Sequence, residues 1–140
     1  MKKRIIMYSG QKELLDMFSH GLEQGLLECG AEIMFYDLKN GNVDELSKFC
    51  EEKVDAVLTF NTTLYNMKIG EVNAWKCLNI PYITILLDHP RSYADTLNLL
   101  EAKDKVFCID RKHCEYIKRF FAKAKAHTWT ERAHELYRHM

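Results

Sequence analysis

Ile80-Pro81-Tyr82-Ile83-Thr84-Ile85-Leu86-Leu87-Asp88-His89-Pro90-Arg91 is the stretch that decides the fold. From Tyr82 to Leu87 it is almost continuously apolar, as in a strand covered on both faces by helices. Asp88 to Arg91 then ends the strand sharply. Working outward, the same rhythm recurs. Arg4-Ile5-Ile6-Met7-Tyr8-Ser9 reads as a strand closed by Gly10, and Glu32–Tyr36, Val54–Phe60 and Lys105–Ile109 read as further strands. Between them lie helical patterns. Leu14, Leu15, Phe18, Leu22, Leu26 and Cys29 recur at spacings near 3.6, with Gly30 as a stop signal. Val43, Leu46, Phe49 and Cys50 mark a short second helix. Ile69, Val72 and Trp75 mark a third, Leu97 and Leu100 a fourth, and Cys114, Ile117 and Phe121 a fifth beginning near Asp110.

Five β–α units with short connections predict an α/β fold: one Rossmann-like or flavodoxin-like doubly wound parallel sheet of five strands, ordered 2-1-3-4-5 or 3-2-1-4-5. The tail breaks this rhythm. Ala122-Lys123-Ala124-Lys125-Ala126 is a bland helix-forming run. Thr128-Trp129-Thr130-Glu131 then fits a capping box, and Trp129, Ala133, Leu136, Tyr137 and Met140 form an apolar stripe beyond it. The expectation is an extra C-terminal helix with no strand before it. The corresponding division is 1–121 as the Rossmann-like domain and 122–140 as a helix packing back on it.

Composition bounds the function. The chain has 140 residues, 47% of them apolar and 29% charged, as in an ordinary globule. Twenty basic residues balance twenty acidic ones. That balance argues against a broad nucleic-acid or anionic-membrane footprint and leaves a homodimer open. The apolar run after Met1-Lys2-Lys3-Arg4 is shorter than the roughly 7–15 residues of a secretory segment. No stretch approaches the ~18 that span a bilayer. Five scattered cysteines without a C-x-x-C pattern fit reduced thiols and a cytoplasmic location.

Ligands of open parallel sheets bind beyond the carboxyl ends of the strands. The loops there carry Ser9, Gly10 and Gln11; Asn61, Thr62 and Thr63; Asp88, His89 and Arg91; and Asp110, Arg111 and His113. These are the ligand-binding candidates, although any doubly wound domain has polar residues at these ends. Asp88 and His89 are the candidate acid–base pair, since a neutral histidine beside a carboxylate suits proton transfer near pH 7. The plainer alternative has Asp88 capping the next helix and His89 packing under Pro90. G-x-S-x-G, G-x-G-x-x-G and G-x-x-x-x-G-K are all absent, so a serine hydrolase, a dinucleotide fold and a P-loop have no motif. No metal is expected. Cys108, His113 and Cys114 are neighbours only in sequence, and His127, His134 and His139 are expected on the last helix, His127 and His134 sharing a solvated face and His139 displaced from it.

Two segments carry a resemblance. Ile80–Pro90, followed by Val106-Phe107-Cys108-Ile109-Asp110-Arg111-Lys112-His113 and Tyr116-Ile117, resembles the amino-terminal domain of bacterial GT-B glycosyltransferases of the group 1-like and spore-maturation-protein-like kind. His127-Thr128-Trp129-Thr130-Glu131-Arg132-Ala133 resembles the H-T-W-x-x-R-A stretch at the extreme carboxyl end of the same enzymes. In that architecture two Rossmann-like domains face each other across a cleft, and the last helix crosses back onto the first. The resemblance therefore implies the acceptor-side domain with its closing helix attached near Phe121 to Ala126, and without the donor-binding domain. It implies no cofactor here, because the nucleotide-sugar donor is held mainly by the other domain. Ser9, Gly10, Asp88, His89 and Arg91 carry over as cleft-facing positions. Positioning contributes ~7–11 kcal/mol to such transfers and needs walls on two sides, so these residues alone are expected not to transfer sugar. Two other readings stay open: a free-standing flavodoxin-like module for a nucleotide or other small anion, and a small enzyme using Asp88 and His89.

Overall fold

Apolar runs that cannot face water on either side become strands with helices over them, and the computed structural model, which describes residues 2–10 and 12–140, follows that rule. The elements in chain order are β1 (Arg4–Ser9), α1 (Glu13–Glu28), β2 (Glu32–Asp37), α2 (Val43–Phe49), β3 (Ala56–Phe60), β4 (Lys68–Ile69), β5 (Val72–Asn73), α3 (Ala74–Cys77), β6 (Tyr82–Leu86), a 3-10 turn (Pro90–Tyr93), α4 (Ala94–Leu97), β7 (Lys105–Cys108), α5 (Arg111–Phe120), β8 (Lys125–Thr128) and α6 (Ala133–Arg138). Six strands form one sheet in the order β2-β1-β3-β6-β7-β8. β1 pairs in parallel with β2 and β3, and β7 in parallel with β6 and β8. The five expected strands thus take the 2-1-3-4-5 order, and a sixth extends it. No helix among the described residues is long and apolar enough to cross a membrane.

The chain divides into two compact units, residues 1–57 with 132–140, and residues 58–131. In the first, Ile5, Ile6 and Met7 of β1 are buried, and α1 lays Ser19, Leu22 and Leu26 inward. Arg4 fastens the adjoining loops. Its backbone N–H donates to Asp55 Oδ2 at 2.8 Å, and its guanidinium donates to the Phe49 carbonyl at 2.8 Å and lies over the Phe49 ring. The last helix, α6, belongs to this unit and packs on α1. Leu136 is fully buried, and Lys3 Nζ donates to the carbonyls of Tyr137 and Met140 at 2.9 and 3.0 Å.

The second unit is built on Leu58 to Phe60, all of β6, and Val106 to Cys108, every one buried. Two expectations fail here. The helix expected to carry Ile69, Val72 and Trp75 does not form. Asn61, Thr62 and Leu64 take φ of 50, 58 and 60°, a left-handed conformation that an α-helix cannot continue. The chain turns instead, and β4 and β5 pair as an antiparallel hairpin around Gly70, which has φ 65°. Ile69 and Val72 are exposed on it. Only Ala74–Cys77 is helical, capped by Asn73 Oδ1, which accepts from the N–H of Trp75 at 3.0 Å. The expected fourth helix is likewise short: a 3-10 turn leads into α4, and Leu100 is buried beyond its end.

The tail is a further correction. Residues 122–126 are not helical. Lys125–Thr128 is a strand in parallel register with β7, Lys105 opposite Lys125 and Cys108 opposite Thr128. Lys and Ala favour a helix in isolation, but the free backbone edge of β7 decides the matter; Ala126 is buried on the new strand and Lys125 is exposed beside it. The capping box is not made. Trp129 is buried in the second unit, where its backbone N–H donates to the Cys108 carbonyl at 2.9 Å, and Glu131 turns the chain with φ 64°. α6 starts at Ala133 with no side-chain cap. His127 and His134 do not share a helix face: His127 is on β8, stacked on Phe107, while His134 is on α6 and His139 ends it.

Candidate functional site

Of the candidates, Ser9 and Gly10 lie in the first unit, at the end of β1. Gly10 has φ 82°, and its N–H donates to Asp16 Oδ2 at 3.2 Å. A Cβ there would stand 2.8 Å from Asp37 Oδ1 and 3.1 Å from the Leu38 backbone nitrogen. The glycine is thus explained by a crowded turn, where no side chain fits and left-handed backbone is needed. Gln11 lies outside the described residues.

In the second unit the carboxyl ends of β3, β6 and β7 bring several candidates together. Asn61 follows β3. Its Oδ1 accepts from the Leu87 N–H at 2.8 Å, and its Nδ2 donates to Asp88 Oδ2 at 3.2 Å. Tyr93, one turn beyond β6, donates its hydroxyl to the same carboxylate oxygen at 3.0 Å. Burial, then the bond to Asp88 and its charge, push the Tyr93 phenol up to about 12. Thr62 serves the backbone: its N–H donates to Thr84 Oγ1 at 2.9 Å.

His89 faces a different set. Its Nδ1 accepts from the Arg91 N–H at 3.1 Å, so His89, and not Asp88, caps the turn that follows. Its ring meets His113 edge-on at 4.9 Å and Tyr116 at 4.7 Å between centroids. Desolvation and then the positive charges of His113 and Arg91 lower its pKa, against an opposing pull from Asp110. Asp110 caps α5 by accepting from the Lys112 N–H at 2.8 Å, and stands 3.6 Å from His113 Nε2. Arg91 is exposed, and Arg111 pairs along its own helix with Glu115 at 3.7 Å.

These contacts fix a chemistry. With Nδ1 used as an acceptor, the neutral His89 ring must carry its proton on Nε2. It therefore presents a hydrogen-bond donor. Taking up a proton as a base would require giving up the cap. Asp88 uses Oδ2 for Asn61 and Tyr93, and its Oδ1 accepts from no protein group among the described residues. One fixed donor and one fixed acceptor suit recognition of hydroxyl-bearing ligands better than proton transfer within an Asp88–His89 pair. Among the described residues, no three His, Cys, Asp or Glu side chains are grouped to hold a metal ion. The sequence pointed to Asp88, His89 and Asn61 as loop residues but not to Tyr93. Its only signal was a tyrosine a few residues past the strand end.

No protein-family model matches the chain, and no curated protein matches it.

Proposed function

We propose that this chain is a ligand-recognition domain, the acceptor-side half of a GT-B glycosyltransferase, which binds a hydroxylated acceptor and does not transfer sugar by itself. The observation that carries the reading is the pair of groupings beyond the carboxyl end of β6, Asn61 and Tyr93 on Asp88 and the Arg91 N–H on His89, in which each side chain is held by a backbone or side-chain partner before any ligand arrives. Such preorganisation lowers the cost of binding. A donor-binding partner domain would supply the nucleotide sugar and the second wall of the cleft. The tautomer of His89 weighs against the acid–base enzyme. The packing of α6 on α1 agrees with a helix that closes its own domain, as the resemblance implies.

Saturation-transfer NMR with a panel of mono- and disaccharides, free nucleotides, nucleotide sugars and FMN tests the reading. We expect transfer to sugar protons, abolished in Asp88→Ala and unchanged in the exposed control Lys2→Ala. Tight binding of FMN or a free nucleotide, with no transfer to any sugar, would replace it with the flavodoxin-like module. Sugar hydrolysis or transfer that is lost in His89→Ala would revive the enzyme.

A further inference from the structure

A second hollow in unit 58–131 has no place in the proposed function. It is an open surface depression of about 500 Å³ beside the amino ends of β7 and β8, whereas Asp88 and Asp110 follow the carboxyl ends of β6 and β7. Small-molecule sites span ≈ 300–1,000 Å³. Lys76, Lys123 and Lys125 line it together with Leu99, Leu100 and Ala122. The lysines come from α3, the turn before β8, and β8 itself. None of the three is in an ion pair among the described residues. With Glu101 also in the lining, the local charge is +2 in a chain whose net charge is zero.

The apolar wall is held in place from beneath. The Tyr65 hydroxyl donates to the Leu99 carbonyl at 3.1 Å. The buried Asp104 carboxylate accepts from the N–H groups of Glu101 and Tyr82, both at 2.9 Å. Leu99 is nonetheless 52% exposed, so a large apolar side chain stands in water beside lysines that form no ion pair among the described residues. Each half of that arrangement has a complement. Apolar surface removed from water gains about 25 cal/mol per Å², and a phosphate monoester carries ≈ −1.5 to −2 charges at pH 7.

We propose that this hollow binds a small phosphate monoester with an apolar body, the phosphate among Lys76, Lys123 and Lys125 and the apolar part against Leu99 and Ala122. The site is independent of the reading given for Asp88 and His89. The test is a titration of the ¹⁵N-labelled chain with 1-naphthyl phosphate, followed by amide shifts. Saturable shifts confined to residues 98–102 and 122–125 are expected. 1-Naphthol and inorganic phosphate should each bind at least about tenfold more weakly, since each lacks one half of the complement. A Lys123→Gln/Lys125→Gln variant should lose about tenfold in affinity with an unchanged melting temperature, both side chains being exposed. Shifts that never saturate, equal binding of 1-naphthol, or undiminished affinity in the variant would overturn the proposal. So would binding to phosphatidic acid vesicles without saturable binding of the soluble probe.

Discussion

The contact between α1 and α6 reduces to a pair of small residues, and exchanging them tests it. A Cβ added at Gly25 would stand 2.6 Å from the Cβ of Ala133. Carbon atoms settle at about 3.5–4.0 Å, so Gly25→Ala forces α6 outward by about 1 Å and lifts Leu136 from its fully buried seat. Overpacking of this kind costs about 1–3 kcal/mol. Alanine also raises helix propensity by about 1 kcal/mol over glycine, which offsets part of the loss. The single variant alone is therefore a blunt test. The reverse change, Ala133→Gly, makes room for the new methyl, so Gly25→Ala/Ala133→Gly should recover most of the clash energy. Propensity effects cancel in the cycle, leaving a coupling of about 1–3 kcal/mol. Urea unfolding of the four proteins, with stabilities from linear extrapolation, measures it. A coupling below about 0.5 kcal/mol would mean that the two changes add independently, and the close packing of α6 on α1 would be refuted.

Three further outcomes follow from groups with displaced titrations. His89 has a lowered pKa, so its share of stability is complete above about 6.5, the ordinary histidine value, and is lost as pH falls through the lower folded value. An NMR titration of its ring should place it below 6.5, with the proton on Nε2 in the neutral form, and His113→Gln should raise it; a fall, or no change, would contradict the charge argument. Asp104 has a raised pKa, chiefly from burial, so protonation favours the folded chain, and that component disappears as pH rises from about 3.8 through the folded value. Asp104→Asn leaves one of two buried N–H groups facing an amide and should cost about 1–3 kcal/mol. The gap from the parent should narrow between pH 4 and 7, and a widening gap in denaturant midpoints would refute the assignment. Burial pushes the Cys108 thiol up to about 12, whereas Cys77 is exposed. A disulfide reagent at pH 8 should therefore modify Cys77 in the native chain and Cys108 only on unfolding, as peptide mass mapping will show.

What the residues disclose about the fold depends on how many structures satisfy the same pattern. The run Ile83 to Leu86 has one outcome, because only a strand covered on both faces leaves none of it in water, and all four side chains are buried. The 3.6-residue spacing of Leu22 and Leu26 is equally decisive. Ala122 to Ala126 is not, since its Lys/Ala alternation satisfies a helix by propensity and a strand by period two. The choice is made 20 residues away, by the unfilled edge of β7. Ile69 and Val72 misled for a similar reason. Their spacing of three fits a helix, but four left-handed or glycine positions from Asn61 to Gly70 exclude one.

The site divides along the same line. That Asn61, Asp88 and His89 gather at strand ends follows from strand polarity, which the sequence contains. Which group each one holds does not, because it depends on the path of the backbone just beyond. Pro90 fixes the start of a 3-10 turn, the turn delivers the Arg91 N–H to His89 Nδ1, and its last residue, Tyr93, reaches back to Asp88. A reading from adjacency joins Asp88 to His89 as a dyad; the turn separates them and makes one an acceptor and the other a donor. The tail that broke the βα rhythm obeys this logic too. Thr128 to Ala133 reads as one capped helix, yet Trp129 is held by the Cys108 carbonyl in one unit and Leu136 is buried in the other. Removing residues 127–140 would therefore damage both units at once. Only removal of 132–140, which leaves β8 intact, isolates what the closing helix contributes.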